Sequence, residues 1–424
     1  MRLVAIAIAV CVATPAFADG EAVNGFPNWE ERVMHEWENR ARCDPQVEMT
    51  ACGSACGEGS CYTPQPPVPW GEALNHSARF HSDEMAAQSY FAHDSACTLV
   101  SNIDTLYPGT CTGAASCACV GGTKACSGAC TLWNERIHLF GPNADGEIIS
   151  GYDTPDSAFY QWLFEPYPGT GCAYDQGPPT NGHRWNLLMN GPAVGFGHGS
   201  GESVGDFGDG GSALGKIPSG SHYPRQAATV DAWVNWYDTA GPSVAMIDVD
   251  GTCSVMTRMR GSDTNGAFHA SVTGVGSGCH RYLFVFADSG GTTVRYPTTG
   301  SLGIGPAGSC ADWDATPPVL GAGCNCTPDC TGKMCGDDGC GGTCGSCSTG
   351  QSCNSSGQCV TTPPDAGSGG GGGGGDAGSG NGAQNAAGGC CDTSGTPGGA
   401  LVFLLLFSAC RASTCYRARR TRRT

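Results

Sequence analysis

Eight cysteines fall within the 34 residues from Cys326 to Cys359, and almost nothing between them is apolar except Met334. A segment of that kind cannot hold itself together with a hydrophobic core, so covalent cross-links must do it. Four disulfides are predicted for this block, with Cys324 just outside it and the pairing left open among 105 possibilities. Cys344-x-x-Cys347 could also suggest zinc, but the block has no histidine, and disulfides are the expectation. The whole chain follows the same lead: 28 cysteines and 68 glycines in 424 residues, of which only 14% are charged. Cysteine at this density persists where thiols are oxidised, which points to export. The formal net charge of −17 argues against a nucleic-acid partner, since phosphate binding needs clustered cations.

The ends read as addresses. Arg2, the apolar run Leu3–Val12 and the small-x-small triplet ending at Ala18 predict a signal peptide over residues 1–18, cut after Ala18. At the other end, Cys390-Cys391 precede an apolar run from Ala400 to Cys410, and six arginines crowd the last fourteen positions. As a helix that run would be about 16 Å long, roughly half the hydrocarbon thickness of a bilayer. The order of cysteine, short apolar helix and arginines resembles the myxobacterial C-terminal sorting tail, MYXO-CTERM. The resemblance implies a C-terminal sorting protease, processing near Cys390 and Cys391, and attachment to the outer surface membrane; an ordinary tail anchor is the other reading. Residues 361–389, with seven consecutive glycines, are predicted to be a flexible tether.

Between these ends the pattern changes twice. Residues 225–305 alternate apolar and polar positions, as in Val230, Ala232, Val234 and Trp236, with further runs at 244–249, 253–259, 268–272, 282–287 and 294–296. Turn signals such as Asp250-Gly251 and Asn265-Gly266 separate them. Strands at this spacing suggest a small antiparallel sandwich that looks like an immunoglobulin-type surface domain, a spacer or adhesion module in which Cys253 and Cys279 could bridge. Residues 27–215 instead mix helices and turns, giving an α+β class. Asn28 can cap a helix with the stripe Trp29, Val33, Met34 and Trp37. A second helix is expected over about 71–90, a third after Thr154-Pro155-Asp156, and a strand over 193–196.

Several phrases of that segment occur in a telling order: Asn39-Arg40-Ala41-Arg42-Cys43-Asp44-Pro45, Leu74-Asn75-His76-Ser77-Ala78-Arg79 running on to Tyr90-Phe91-Ala92-His93, Asn134-Glu135-Arg136-Ile137, Gly146-Glu147-Ile148, Gly182-His183-Arg184-Trp185-Asn186 and Val194-Gly195-Phe196-Gly197. As a set they resemble the CAP superfamily (cysteine-rich secretory, antigen 5 and pathogenesis-related-1, or SCP-like). The resemblance implies a CAP-type α-β-α sandwich with a central cleft holding His93, Glu135, Glu147 and His183. Where the family usually has Glu-Asn, this chain has Glu147-Ile148, which removes an amide near that cleft. Two neutral imidazoles, His93 and His183, could hold Zn2+ or another divalent cation while the carboxylates orient them or a bound water. The same four groups could equally form a hydrogen-bonded polar core.

Eleven cysteines of the segment, most of them in the insertions 46–66 and 95–131, are expected to brace loops beside the cleft. Of the 23 cysteines from Cys43 to Cys359, an odd one must be left over. No His-Glu-x-x-His or Gly-x-Ser-x-Gly motif is present. The leading functional expectation is therefore a non-enzymatic module that binds a small apolar ligand or a partner protein at the cell surface. A divalent-cation-dependent hydrolase using Glu135 or Glu147 as general base, and a structural adhesion protein, are the alternatives.

Overall fold

The computed structural model describes residues 20–111, 130–166, 182–199, 201–316, 320–324, 329–336, 344–348 and 351–361. Ala18, the tether, Cys390, Cys391 and the terminal tail lie outside them. Among the described residues no helix is long and apolar enough to cross a membrane. The fold is mixed α+β and mostly β, with all its sheets antiparallel.

The N-terminal half is built on a three-stranded sheet of β1 (Ala144–Ser150), β2 (Ala193–His198) and β3 (Ser203–Gly208) in the order β1-β3-β2. Both of its faces are covered. On one side Ile148, Val194, Phe196 and Phe207 join a core with α1 (Trp29–Cys43), α4 (Pro155–Leu163) and α5 (Gly182–Met189). On the other side Ile149 and Val204 meet Ala78 and Met85 of α2 (Glu72–Gln88), and α3 (Trp133–Leu139) packs against β1. The alternation of Ile148 and Ile149 onto opposite faces follows from the two-residue period of a strand.

Two glycines let α2 lie unusually close. Gly195 and Gly197 sit on the same face of β2, and a Cβ on either would come within 2.0 Å of the backbone nitrogen of Asn75 or Arg79. Backbone cannot yield as a side chain can, so the helix would have to lift off the sheet. Gly197→Ala is expected to lower stability by about 2 kcal/mol. A urea unfolding midpoint equal to that of the parent chain would contradict this packing account.

The second half is a two-sheet sandwich. One sheet runs β4-β5-β9-β8, with β4 Gly220–Tyr223, β5 Thr229–Tyr237, β8 Thr257–Gly261 and β9 Asn265–Thr273. The other runs β13-β12-β10-β6-β7, with β11 also pairing β10; its strands are β6 Val244–Val249, β7 Thr252–Val255, β10 His280–Ala287, β11 Thr293–Tyr296, β12 Ser301–Ile304 and β13 Trp313–Asp314. Val230, Val234, Trp236 and Phe268 of the first sheet interlock with Ile247, Phe284, Phe286 and Ile304 of the second. The single strand expected over 253–259 is two. At the break Met256 is fully buried in the shared core, and the chain passes from one sheet to the other there.

The disulfides correct one expectation. Cys253 is bonded to Cys324 and Cys279 to Cys310, so Cys253 and Cys279 do not bridge each other. Spacing along strands says nothing about which distant loop returns to each sulfur. Cys330–Cys344, Cys335–Cys353 and Cys347–Cys359 staple the cysteine block, whose described strands Gln351–Cys353 and Cys359–Thr361 form a small hairpin. Cys52–Cys56 closes a short loop. Among the described residues Cys43, at the end of α1, is free and buried, its thiol pushed up to about 12 first by burial and then by Asp44 and Glu36.

The helix α1 departs most from its sequence pattern. Asn28 caps it through a reciprocal pair with Glu31, as the sequence suggested. Yet all but one of its fifteen residues are buried, including Glu36, Glu38, Arg40 and Arg42. The polar face that amphipathicity would turn to water is covered by β4, β5, β8 and β9. Arg40 donates to Glu48 at 2.8 Å, to Glu36 at 3.3 Å and to the Tyr160 hydroxyl, and its guanidinium stacks 4.7 Å from the ring centre of Trp233 on β5. Asn235 of β5 donates to the Glu36 carboxylate at 3.3 Å, and Asn39 donates to Ser219 at 3.0 Å.

Candidate functional site

His93 follows α2 in the loop that leads away from the helix's left-handed cap at Ser89. Its imidazole is 47% exposed, and Nδ1 lies 2.8 Å from a carboxylate oxygen of Glu147. Glu147 is on β1, on a face that is buried, and its second oxygen is bonded by the fully buried guanidinium of Arg136 on α3. Burial alone would raise the Glu147 carboxyl, but Arg136 and then the His93 hydrogen bond outweigh it and hold it down at about 2. An ionised Glu147 can only accept, so Nδ1 of His93 carries the proton of this bond, and in the neutral ring Nε2 is then the acceptor.

Directly across the strand pair from Glu147 stands Asp206 of β3. Burial and the neighbouring Glu147 charge push its carboxyl well up, so the two acids divide into one charged and one neutral group. Arg136 ties the pair to the loop by donating to the backbone oxygen of His93 at 2.9 Å and to the Ser95 hydroxyl at 3.2 Å. Ser95 in turn donates to Glu84 at 2.9 Å, a buried acid whose neighbour His81 is itself fastened to the backbone of Ala92. His93 therefore stands on a buried polar network.

In front of it opens a cleft of about 510 Å³ whose walls include Trp133, Trp185, Asn186 and the carboxylates of Asp94 and Asp145. Its described lining contains no serine, threonine, cysteine or lysine.

The four residues singled out from the sequence are thus divided. His93 and Glu147 are brought together. His183 opens α5, whose residues Gly182, Trp185 and Asn186 line the cleft, but its own imidazole lies 3.3 Å from Glu165 and its backbone N–H donates to that same carboxylate. Glu135 is exposed at the third position of α3, where its carboxylate accepts the Leu132 N–H at 3.1 Å. The residue the sequence phrase did not single out is its neighbour Arg136. One step along a helix turns a side chain by about 100°, and on α3 the buried stripe takes in Arg136 and Ile137 and leaves Glu135 outside, so the cation is the buried partner of Glu147.

A cation site would need three donors in reach of one point. Among the described residues, the groups of three His, Cys, Asp or Glu donor atoms lying within 4.8 Å of one another are Cys335, Cys347 and Cys353, all in disulfides, and Asp248 with the bonded pair Cys253 and Cys324. None of the four site residues is in either group. The Nδ1 of His93 is engaged by Glu147 and that of His183 by Glu165. No protein-family model, curated protein or solved structure matches the chain.

Proposed function

We propose that the chain is an exported, surface-displayed binding protein in which a CAP-type unit holds a small ligand in the His93 cleft, carried on an immunoglobulin-like sandwich and a disulfide-rich stalk. The observation that carries this reading is His93 itself. A half-exposed imidazole whose Nδ1 is held by a buried carboxylate offers, in its neutral form, Nε2 as an acceptor in a cleft that Trp133 and Trp185 also line. A volume of about 510 Å³ suits a small molecule. The order of the sequence phrases and the helices on both faces of the β1-β3-β2 sheet support the CAP-type assignment, and the two-sheet packing supports the immunoglobulin-like one.

The same His93–Glu147 pair favours a second reading, hydrolysis with His93 Nε2 as general base. Native mass spectrometry of the full chain from its own cells, beside turnover assays on ester and peptide panels, separates the two. Binding predicts a co-purifying small molecule whose occupancy falls at least tenfold in His93→Ala, with no turnover by the parent chain. His93 is exposed enough for that variant to fold. Turnover abolished in His93→Ala would establish the hydrolase instead. A chain free of bound molecule and of turnover would overturn both.

A further inference from the structure

A larger cavity, of about 660 Å³, lies where the N-terminal unit meets the sandwich, and shares no lining residue with the His93 cleft. Its walls include Phe26, Trp70, Phe140 and, from the sandwich, Tyr296. Arg32 of α1 also lines it and is only 2% exposed. Its one hydrogen bond runs from a terminal nitrogen to the Pro27 carbonyl at 3.3 Å, and its Nε has no partner. Among the described residues no carboxylate lies within 4.0 Å of this guanidinium, whereas the fully buried Arg136 and Arg184 each have one and Arg42 instead donates to three backbone carbonyls. The carboxylates that share the cavity wall do not serve it. Glu21 and Glu72 are pushed up by burial with no opposing pull from Arg32, and Asp104 is exposed. His76 brings a second buried, unpartnered atom, Nε2, on a ring that burial and then Arg79 keep neutral.

A buried guanidinium without an anion is costly, and a bidentate carboxylate is the group that its planar donors fit. Four aromatic rings beside it favour a flat apolar body. We propose that this cavity is a second binding site, for a small aryl carboxylate whose acid group pairs with Arg32 and whose ring lies among Phe26, Trp70, Phe140 and Tyr296. The inference does not depend on the His93 cleft, and either can fail alone.

Calorimetric titration of the full chain with 2-naphthoate, 2-naphthamide and octanoate tests it. The acid should bind at least tenfold more tightly than its amide, which isolates the charge, and at least tenfold more tightly than octanoate, which isolates the ring. Arg32→Gln should lose at least tenfold in affinity for 2-naphthoate. Equal affinity for acid and amide, equal affinity for octanoate, or no binding of 2-naphthoate at about 1 mM would each overturn the assignment. The first two comparisons use the parent chain, so they decide the matter even if Arg32→Gln does not fold.

Discussion

Arg136→Ala is expected to lower stability by about 3–5 kcal/mol, the cost of leaving one member of a buried ion pair without the other. The guanidinium is fully buried and bonded to Glu147, while Asp206 stands across the strand with its own carboxyl already pushed up by burial and then by that charge. Without Arg136, Glu147 must take up a proton or stay charged in an apolar layer. Either outcome removes the anchor of the His93 tautomer. The loss should be visible as a fall in the urea midpoint with an unchanged slope, and Arg136→Lys should recover part of it, because a point charge restores the Coulomb attraction but not the bonds to the His93 backbone and Ser95. A loss of less than about 1 kcal/mol would mean that the pair is screened by water and that His93 is not held as described.

The second large effect is a pH dependence centred on α1. Burial pushes the Glu36 carboxyl up to about 7, against the opposing pull of Arg40 and with a further rise from Glu48. Between its ordinary value of 4.5 and about 7, the folded chain holds a proton that the unfolded chain has released. Stability from this group is therefore complete below pH 4.5 and declines as the pH rises through 7, by about 3 kcal/mol in total at 1.36 kcal/mol per unit. Other buried acids add slopes of both signs, so the measurement is a difference. The gap in unfolding free energy between Glu36→Gln and the parent chain should move by about 3 kcal/mol in favour of the variant from pH 4 to pH 8. A gap that stays constant over that range would show that Glu36 binds its proton equally well folded and unfolded, the pull of Arg40 cancelling the effect of burial.

How much of this was legible depended on whether the cause was local. The cap at Asn28, the helix after Thr154 and the alternation from Val230 to Trp236 each arise within one turn or one strand, and the elements form where those signals fall. Strand breaks were harder. Thr252–Val255 and Thr257–Gly261 read as one run, because the switch at Met256 is imposed by two sheets that the sequence lists far apart. The partners of Cys253 and Cys279 were beyond reach for the same reason, since each sulfur meets a loop 71 or 31 residues away.

At the candidate site, His93 and Glu147 could be named from their phrases, but the group that makes their pairing possible, Arg136, sat one position from the residue chosen. Helical phase could have flagged it: on α3, Arg136 and Ile137 are the buried positions and Glu135 is not. The junction cavity had no sequence signal at all, because Phe26 with Arg32, Trp70 and Tyr296 come from three separate stretches.

One consequence of α1 reaches past either site. A helix with Glu36, Asn39 and Arg40 satisfied by Asn235, Ser219 and Trp233 is a party wall owned by both halves of the protein. A border drawn between β3 and β4 would therefore be a border in the sequence only. Cutting the chain there would strip Glu36, Asn39 and Arg40 of these partners, so the two halves are expected to fold as one unit.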